Sequence, residues 1–527
     1  MITSDTNSVK KWCDAQGIPN VVTNDESGEG WTKDPSQTKA TEFTDQQWSV
    51  LENGSADFEY WASNNSWSWS NTINLFDKFK EWIAQKTYSI TEKNLVYNGV
   101  VSDVADLERG ATLKQLGKNF DEGKNLVGSE NIIPAGYSSV TDKLVAMITA
   151  FPNCEIRLNE KVIKIATVVD QTSESGHRST ITLFSGAIYT APRVVVSLPL
   201  GVLQAGTIAF EPNLFADKVN AIEKLGMGLL DKITLLYSNN FWMNDSNGLG
   251  RGTWFTVIDP TANSVGVEPS KPQREFWNAA KYFNNKPVVT MLVGATTADD
   301  CETQSDTTLV KIADDLFRSL WTDTSTAVVK GYTITRWRAD EHARGAYSYL
   351  PPGATVQMRR DLCKYLNDGI YWAGEHCSID YPATVHGAFD SGTSVANSIP
   401  LKSSISPTRR PTGRPRSKPS TKPTANPSSL KPSSLQSSSL RPTTRPTSKP
   451  STKPTAKPSS LKPSTLQPSS LRPTTLKPIR TASLPTPTSS KPTSLTSQQP
   501  TLMKPSQRPS LRPTRRPTDF PSNFPTV

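Results

Sequence analysis

The sequence predicts a mixed fold of the α/β plus α+β classes, with two packed domains followed by a disordered basic tail. All 13 Trp, all 5 Cys and all 4 His lie before about residue 400. Short apolar strands and amphipathic helices are mixed over the same residues, the pattern of α/β and α+β proteins. A body of this length exceeds the usual size of one hydrophobic core, so two domains are expected.

Residues 1–130 are polar and Trp-rich, and they contain one clear amphipathic pattern. Its apolar residues recur at helical spacing, at Leu75, Phe76, Phe79, Trp82 and Ile83. A second helix is predicted between Val140 and Ile148 by the same spacing. The first helix is expected to pack its apolar face on another element.

Strands are predicted to dominate after the second helix. They cover Glu155–Leu158, Val162–Val169, Ser179–Phe184, Val194–Val196, Ile233–Tyr237, Val288–Val293 and Val328–Trp337. The continuous apolar run of Val194–Val196 is typical of a strand covered on both faces. Helical periodicity from Leu309 to Leu320 predicts a helix among the later strands.

A buried strand over 369–373 and a helix over about 383–399 are predicted at the end of the body. The turn and helix are rich in small residues: Gly374, Gly387, Ala388, Ser391 and Gly392. Small residues let the backbone approach a flat ligand, and a helix N-terminus offers N–H groups to an anion or electron-rich ring. From spacing alone, close helix packing without a ligand remains the alternative.

The tail, residues 401–527, differs from the body in charge and composition. It has 23 Lys and Arg against one acid, Asp519, so its net charge is +22 and the overall +10 leaves −12 for the body. It contains 26 of the 41 prolines, and a nine-residue sequence that begins at Ser417 recurs at Ser448. Such a segment has little to bury and is expected to be a disordered, polyproline-II-rich spacer. A tether to polyanions, driven by counterion release, is the alternative.

Several classes of protein are disfavoured. The cysteines, at positions 13, 154, 301, 363 and 377, show no paired spacing, so neither a disulfide framework nor a structural metal is predicted. No apolar run reaches bilayer length and the first residues lack a signal-peptide pattern. Localisation stays open between cytoplasmic and extracellular or wall-associated. Three N-x-S/T sequons, at Asn53, Asn64 and Asn244, would permit glycosylation of a secreted chain.

Residues 371–392, Tyr-Trp-Ala-Gly-Glu-His-Cys-Ser-Ile-Asp-Tyr-Pro-Ala-Thr-Val-His-Gly-Ala-Phe-Asp-Ser-Gly, carry the strongest motif. They resemble the C-terminal flavin-binding signature of FAD-dependent amine oxidases, especially the polyamine oxidase and lysine-specific histone demethylase branch. The resemblance implies that Glu375 contacts the ribityl-pyrophosphate region of FAD. It also implies that Thr384 and Val385 begin the helix that faces the flavin, with Thr384 near the substrate amine.

Three further stretches resemble the same family in the same order: residues 195–203, 226–235 and 335–350. The resemblance places Lys232 at flavin N5 through a water, Trp337 near the isoalloxazine, and Tyr347 in one wall of the amine site. The backbone of Val162 would meet the adenine. Taken alone, such a Trp or Tyr is usually core packing and such a Lys a solvated strand end. Position 346 is Ala, where monoamine oxidases have the Cys that bonds flavin, so non-covalent FAD is implied.

The resemblance also implies a domain order. Residues 1–130 would form a mostly helical part of the substrate domain, 131–228 a segment of the FAD-binding domain, 229–345 the substrate-domain sheet and helices, and 346–400 the C-terminal FAD-binding segment. The family's G-x-G-x-x-G strand-turn-helix for the FAD pyrophosphate is not found. Gly28-Glu-Gly30 lacks a preceding strand and the third Gly. The Rossmann-like FAD-binding domain is therefore expected to be truncated.

The implied activity is oxidation of a polyamine or related amine, with FAD as hydride acceptor and oxygen as the final oxidant, to give an imine, an aldehyde and hydrogen peroxide. No metal is required. Peptidyl-lysine demethylation ranks lower, because no long charged heptad run interrupts the body. A non-catalytic module tethered by its polyanion-binding tail is the alternative from another class, favoured by the missing Gly-rich turn. Oligomeric state is left open.

Overall fold

The protein is described from a computed structural model. It describes residues 2–3, 6–23, 28–124, 130–243, 252–259, 274–322, 324 and 327–400. The predicted tail at 401–527 and the sequon at Asn244 lie outside these ranges. No helix in these ranges is both long enough and apolar enough to span a bilayer.

Helices and strands are mixed along the described chain, as predicted. The helices are α1 Ser8–Gln16, α2 Asp45–Asn65, α3 Leu75–Ala84, α4 Ile90–Val100, α5 Ser138–Thr149, α6 Leu200–Gln204, α7 Ala216–Lys224, α8 Ala295–Glu302, α9 Asp306–Ser319, α10 Val356–Cys363 and α11 Val385–Ser398. The strands are β1 Ile2–Thr3, β2 Val21–Val22, β3 Gly28–Thr32, β4 Thr41–Glu42, β5 Glu130–Ile132, β6 Val162–Val169, β7 His177–Leu183, β8 Ile188–Ala191, β9 Val194–Val196, β10 Ala209–Glu211, β11 Gly226–Met227, β12 Leu230–Tyr237, β13 Trp254–Ile258, β14 Arg274–Trp277, β15 Val288–Gly294, β16 Val329–Ile334, β17 Ser348–Tyr349 and β18 Ile370–Trp372.

A seven-stranded sheet, in the order β16-β12-β15-β14-β13-β3-β4, forms the centre of the structure. Its pairs are antiparallel except for β13 with β3. Lys232 on β12 lies opposite Leu292 on β15, which lies opposite Glu275 on β14. Because side chains directly opposite in neighbouring strands share a face, all three project from the same face of the sheet.

The two faces of this sheet are covered by different partners. On one face, Leu309, Ala313 and Phe317 of α9, four residues apart, pack with sheet residues that include Ile233 and Phe276. We call this the helix face. The opposite face, which carries Lys232, is packed by residues from other parts of the chain; we call it the site face. Both faces are buried, which explains why all seven residues of β15 are inaccessible.

A second layer contains the parallel pair β9 and β18 and the sheet β10-β6-β7-β8. Its core includes Ile165, Val196, Leu200, Leu362 and Trp372. The prediction that the β9 run is covered on both faces is wrong, since Val196 is buried but Val195 is 45% exposed. Val195 projects from the face opposite to Val196, and only the Val196 face packs in this core.

A helical layer is built from α2, α3, α4 and a π-helical turn, Val101–Asp106. The predicted amphipathic helix is confirmed as α3, and its apolar residues pack with Phe58 of α2 and Tyr97 of α4. Capping boxes begin two of these helices, Thr44 with Gln47 and Ser89 with Glu92. These caps satisfy backbone donors that the first helical turn cannot pair by itself.

Two further local predictions differ from the structure. The strand predicted at 155–158 does not form, because the segment is exposed, with Leu158 at 78%, and no described strand pairs with it. The cysteine pattern gave no pairing, yet Cys363 and Cys377 form a disulfide with a Cα–Cα distance of 5.5 Å. A strand and a turn between them bring the two together, which sequence spacing did not indicate.

Candidate functional site

Lys232 lies near the start of β12 and projects from the site face. Its backbone N–H donates to Thr335 Oγ1 at 2.9 Å and its carbonyl accepts from Thr335 N at 3.0 Å. The residue is only 6% exposed. Glu275 projects from the same face two strands away, with β15 between them, and is 4% exposed. A cation and a carboxylate are therefore both buried on this face, where low water content strengthens electrostatic interactions.

Asp231, the preceding residue, anchors the chain that follows β16. Its Oδ1 accepts from Thr335 Oγ1 at 2.7 Å and from Trp337 N at 3.2 Å. Burial raises the pKa of Asp231 to about 7, and the neighbouring Glu302 carboxylate adds to this rise. The two bonds end the regular strand β16 at Ile334, which is why it is shorter than the predicted 328–337.

Trp337 packs on the helix face, against the core that includes Ile233 and Ile334. Tyr347 lies in the other core, with Leu292, Trp254 and Trp277 of the site face. The structure therefore brings Tyr347 to the face that carries Lys232, while Trp337 packs in the other core.

Tyr347 is held in a fixed position. Its hydroxyl donates to the carbonyl of Leu107 at 2.7 Å, in a buried hydrogen bond. Its carbonyl accepts from Gly228 N at 2.7 Å, next to the antiparallel pair β11 and β17. The ring is 9% exposed. A ring fixed at both ends presents a constant wall to anything bound beside it.

The N-terminus of α11 begins at Thr384. The Thr384 hydroxyl accepts from Gly387 N at 3.0 Å and donates to Tyr381 O at 2.8 Å, so this hydroxyl serves as the helix cap. The N–H groups of Val385 and His386 have no acceptor within the described ranges. Ala383, just before the cap, packs against the core that contains Tyr347. The positive end of α11 thus lies beside the site face.

The side chain of Val385 points elsewhere. It packs with Val9, Ile133 and Val140 in a small core between α1, α5 and α11. Only the backbone of Val385 is presented by the helix start. Val162, at the start of β6, is partly buried and packs against the core of the second layer.

Hydrogen bonds to the Glu375 carboxylate connect the turn before α11 to β17. Its carboxylate accepts from Ser348 N at 3.1 Å, Ser348 Oγ at 2.6 Å and Ala383 N at 2.8 Å. One oxygen thus holds Ala383, immediately before the cap residue of α11. Glu375 therefore sets the position of the helix start relative to Tyr347.

Arg359 and Glu122 support this turn, and sequence analysis missed both. Arg359 is fully buried and donates to Ser348 Oγ at 2.7 Å and to His376 O at 3.3 Å. It also forms a two-bond ion pair with Glu122, through Nε at 2.7 Å and through Nη2. The partners are 237 residues apart, so no local pattern could have shown them.

Two buried histidines flank the turn and were also missed. Burial lowers the pKa of His386 to about 4, and burial lowers the pKa of His376 from its usual value. Both rings are therefore neutral near pH 7. His376 Nε2 is buried without a hydrogen-bond partner among the described residues.

Comparison with known proteins identifies this arrangement. Residues 73–400 match the family described as flavin containing amine oxidoreductase. The chain belongs to this family. The resemblance seen in the sequence is confirmed, and FAD, the cofactor it implied, is the cofactor of the family.

Relatives of this chain include two kinds of protein. Polyamine oxidase 4 of Oryza sativa subsp. japonica is 30% identical over 280 residues, which are 53% of this chain and 51% of that protein. Lysine-specific histone demethylase 2 of Homo sapiens is 25% identical over 294 residues, covering 55% and 33%. Histone demethylase-like protein A of Aspergillus fumigatus is 28% identical over 320 residues, covering 60% and 28%. The chain spans about half the length of the polyamine oxidase it matches.

The described part of this chain fits one end of FAD. Unpaired N–H groups at the start of α11, beside the apolar core with Tyr347, suit the electron-rich edge of an isoalloxazine ring. The described residues contain no Gly-rich strand-turn-helix that could bind the pyrophosphate end. Gly30 is not such a turn, because it lies inside β3, and a Cβ there would come within 2.3 Å of the Phe43 ring.

Proposed function

We propose that this amine oxidoreductase oxidises a polyamine or related amine, using non-covalent FAD and oxygen. One observation carries the proposal. Tyr347, Ala383 at the start of α11, and Leu230 and Leu292, which flank Lys232 on its face, all contribute to a single buried core. A buried cation, a fixed aromatic ring and a helix N-terminus therefore converge on one apolar site. FAD bound there supplies a hydride acceptor at its N5 atom.

The residues of this site have distinct proposed roles. Apolar walls exclude water, which favours the neutral amine that hydride loss requires. The Tyr347 ring, fixed by Leu107, positions the amine, and Lys232 holds a proton and a water near the reacting atoms. Thr384 orients α11 through its cap and faces the amine.

Other residues are proposed to hold the cofactor. The helix start at Thr384 and Val385 offers backbone N–H groups, and Glu375 fixes that helix start. Trp337 is proposed as a flavin contact from the resemblance alone, since it packs in the helix-face core and not with Tyr347. The Val162 backbone would meet the adenine. Each of these contacts stays a proposal for experiment.

A cationic substrate suits the charge of the body. Residues 1–400 carry a net charge of −12, and a field of this sign attracts polycations and raises their association rate. Polyamines and peptides with methylated lysine both meet this description, and the relatives include both kinds of enzyme by name. Peptidyl-lysine demethylation is therefore the second candidate.

The test saturates the purified chain with FAD and adds spermidine, benzylamine or a dimethyl-lysine peptide. We expect spermidine to bleach the oxidised flavin without air and to give peroxide and aldehyde in air. Tyr347→Ala should reduce kcat/KM for spermidine while flavin stays bound. Turnover of the peptide alone would favour the demethylase. Bound flavin that no amine reduces would instead support a non-catalytic module.

A further inference from the structure

A histidine lies beside the Cys363–Cys377 disulfide. The two sulfurs and a ring nitrogen of His376 all lie within 4.8 Å of one another. The His376 ring is 1% exposed, and its Nε2 has no hydrogen-bond partner within the described ranges. A buried nitrogen without a partner is costly unless a ligand or ion can use it.

The backbone on both sides of the disulfide is held by other contacts. Lys218, a buried residue of α7, donates through Nζ to the carbonyls of Leu362 and Lys364, on either side of Cys363. Arg359 donates to His376 O, and Cys377 N donates to Gly374 O at 3.1 Å. Because none of these contacts uses a sulfur atom, the two cysteines should remain neighbours after the disulfide is broken.

The disulfide is also reachable. A surface groove of about 440 Å³ is lined by Cys363, Cys377 and Ile379 and by the polar residues Gln357, Arg360, Asp361 and Lys364. A small thiol and a hydrated ion can therefore reach the sulfurs, and water can supply a further oxygen ligand.

We propose that Cys363, Cys377 and His376 form a thiol-gated zinc site. Two molecules of a small thiol reduce the disulfide, giving two cysteine thiols and one small-molecule disulfide. Zn²⁺ then displaces the two thiol protons and binds two thiolates and the His376 nitrogen, with an oxygen ligand from the groove. Tetrahedral zinc with sulfur bonds of about 2.3 Å sets the sulfurs roughly 3.8 Å apart, which the Cα–Cα distance of 5.5 Å permits.

The site would keep the end of α10 connected to the turn Glu375–Cys377 in both redox states. The disulfide joins the end of α10 to the turn Glu375–Cys377, and that turn also carries the carboxylate that fixes the start of α11. In an oxidising environment the covalent bond makes this connection. In a reducing environment zinc makes it, so the turn before α11 stays in place. This zinc site is independent of the proposed amine oxidation.

The experiment uses the full chain without added flavin. One sample is reduced with dithiothreitol and desalted without air, and the other is left oxidised. Zn²⁺ is then titrated in competition with a chromophoric chelator. The reduced protein should bind one equivalent and release two protons, and the oxidised protein should bind none. Co²⁺ in the reduced protein should give sulfur-to-cobalt charge-transfer bands.

Variants assign the ligands. Cys363→Ser and Cys377→Ser should abolish zinc uptake, and His376→Asn should weaken it at least about tenfold, as expected for loss of one ligand. Cys154→Ser, at an exposed free cysteine, is the matched control and should bind like the parent. If a cysteine variant fails to fold, the reduced parent is alkylated at Cys363 and Cys377 instead. Mass spectrometry then maps the alkylated residues. Lack of uptake by the reduced parent, or uptake that survives alkylation, overturns the proposal.

Discussion

Asp231 and Lys232 are adjacent in β12, and their side chains lie on opposite faces of the sheet with different proposed roles. Side chains alternate between faces, so Lys232 projects from the site face and Asp231 from the other, where it binds Thr335 and Trp337 N. The carboxylate holds in place the chain that carries Trp337. An ionisable group on each face of a mostly buried strand is costly to stability.

Asp231→Asn should change how stability depends on pH. The pKa of Asp231 is about 7 in the folded protein against 3.8 ordinarily, so the folded state keeps a proton that the unfolded chain releases. The stability from this proton is complete below about pH 4 and is lost as the pH rises through about 7. The uncharged Asn avoids this loss, so relative to the parent the variant should gain roughly 2–4 kcal/mol over that range. Urea unfolding across the range measures it, and parallel profiles would contradict it.

Lys232→Met should slow flavin chemistry without releasing flavin. Met keeps the length and apolar stem of Lys but carries no proton, so packing is preserved while the charge is lost. Stopped-flow measurement with FAD-saturated protein and spermidine should show slower reduction or slower reoxidation in air. Lys330→Met, at an exposed position of the neighbouring strand β16, is the control and should match the parent. Equal rates in all three proteins would remove Lys232 from the mechanism.

Sequence motifs located the residues that lie on short continuous stretches. Glu375, Thr384 and Tyr347 were named because each belongs to a motif whose neighbours are adjacent in the chain. Arg359 and Glu122, which hold the same turn, were missed because their contact is made only by the fold. The roles assigned by resemblance stay predictions, since geometry shows where a side chain lies but not what it reacts with.

At the scale of elements, α11 is positioned by its first turn. Gly387 lies so close to Tyr381 that a Cβ would fall 1.9 Å from the Tyr381 carbonyl oxygen. That carbonyl also accepts the hydrogen bond of the cap residue Thr384. The close approach expected from the small residues of this helix is therefore real at Gly387. In this structure the close approach packs the helix start against Tyr381.

Gly387→Ala and Gly392→Ala form a matched pair in α11. The first should destabilise by about 1–3 kcal/mol, because the capping turn must move to admit a methyl group. The second has no heavy atom within 4 Å of its Cβ position and should stabilise by about 0.5–1 kcal/mol, since Ala favours helix. Thermal unfolding measures both. If Gly387→Ala raised the unfolding temperature, as Gly392→Ala is expected to, the first turn of α11 would be able to move at little cost.

Strand predictions succeeded where a partner strand buries the segment. The runs in β12 and β15 were predicted from their apolar residues, and each pairs with neighbouring strands of the seven-stranded sheet. Residues 155–158 also carry apolar residues, but no described strand pairs with them. Pairing is a property of the whole fold, and a local pattern cannot reveal it.

At the scale of the molecule, the charge is divided between body and tail. Removing residues 401–527 takes away 23 basic residues and one acid. Because neutralised phosphates or sulfates release counterions, we expect the shortened chain to leave a heparin column at much lower salt. Its unfolding midpoint should stay unchanged, since the tail offers no apolar periodicity for docking. Equal retention of both chains would assign polyanion binding to the body.

The chain should hold mainly one end of FAD. The described residues offer unpaired N–H groups and an apolar core to the isoalloxazine end, and no Gly-rich turn to the pyrophosphate. Since the adenosine end should then add little, FAD and FMN should bind with dissociation constants within a factor of about ten, or about 1.4 kcal/mol. Titration of each flavin into the chain, followed by quenching of flavin fluorescence, measures the ratio, with riboflavin as control for the phosphate. If FAD binds more than about a hundredfold tighter than FMN, residues outside the described ranges grip the pyrophosphate. The chain would then hold its cofactor along its full length, as a complete dinucleotide-binding fold does.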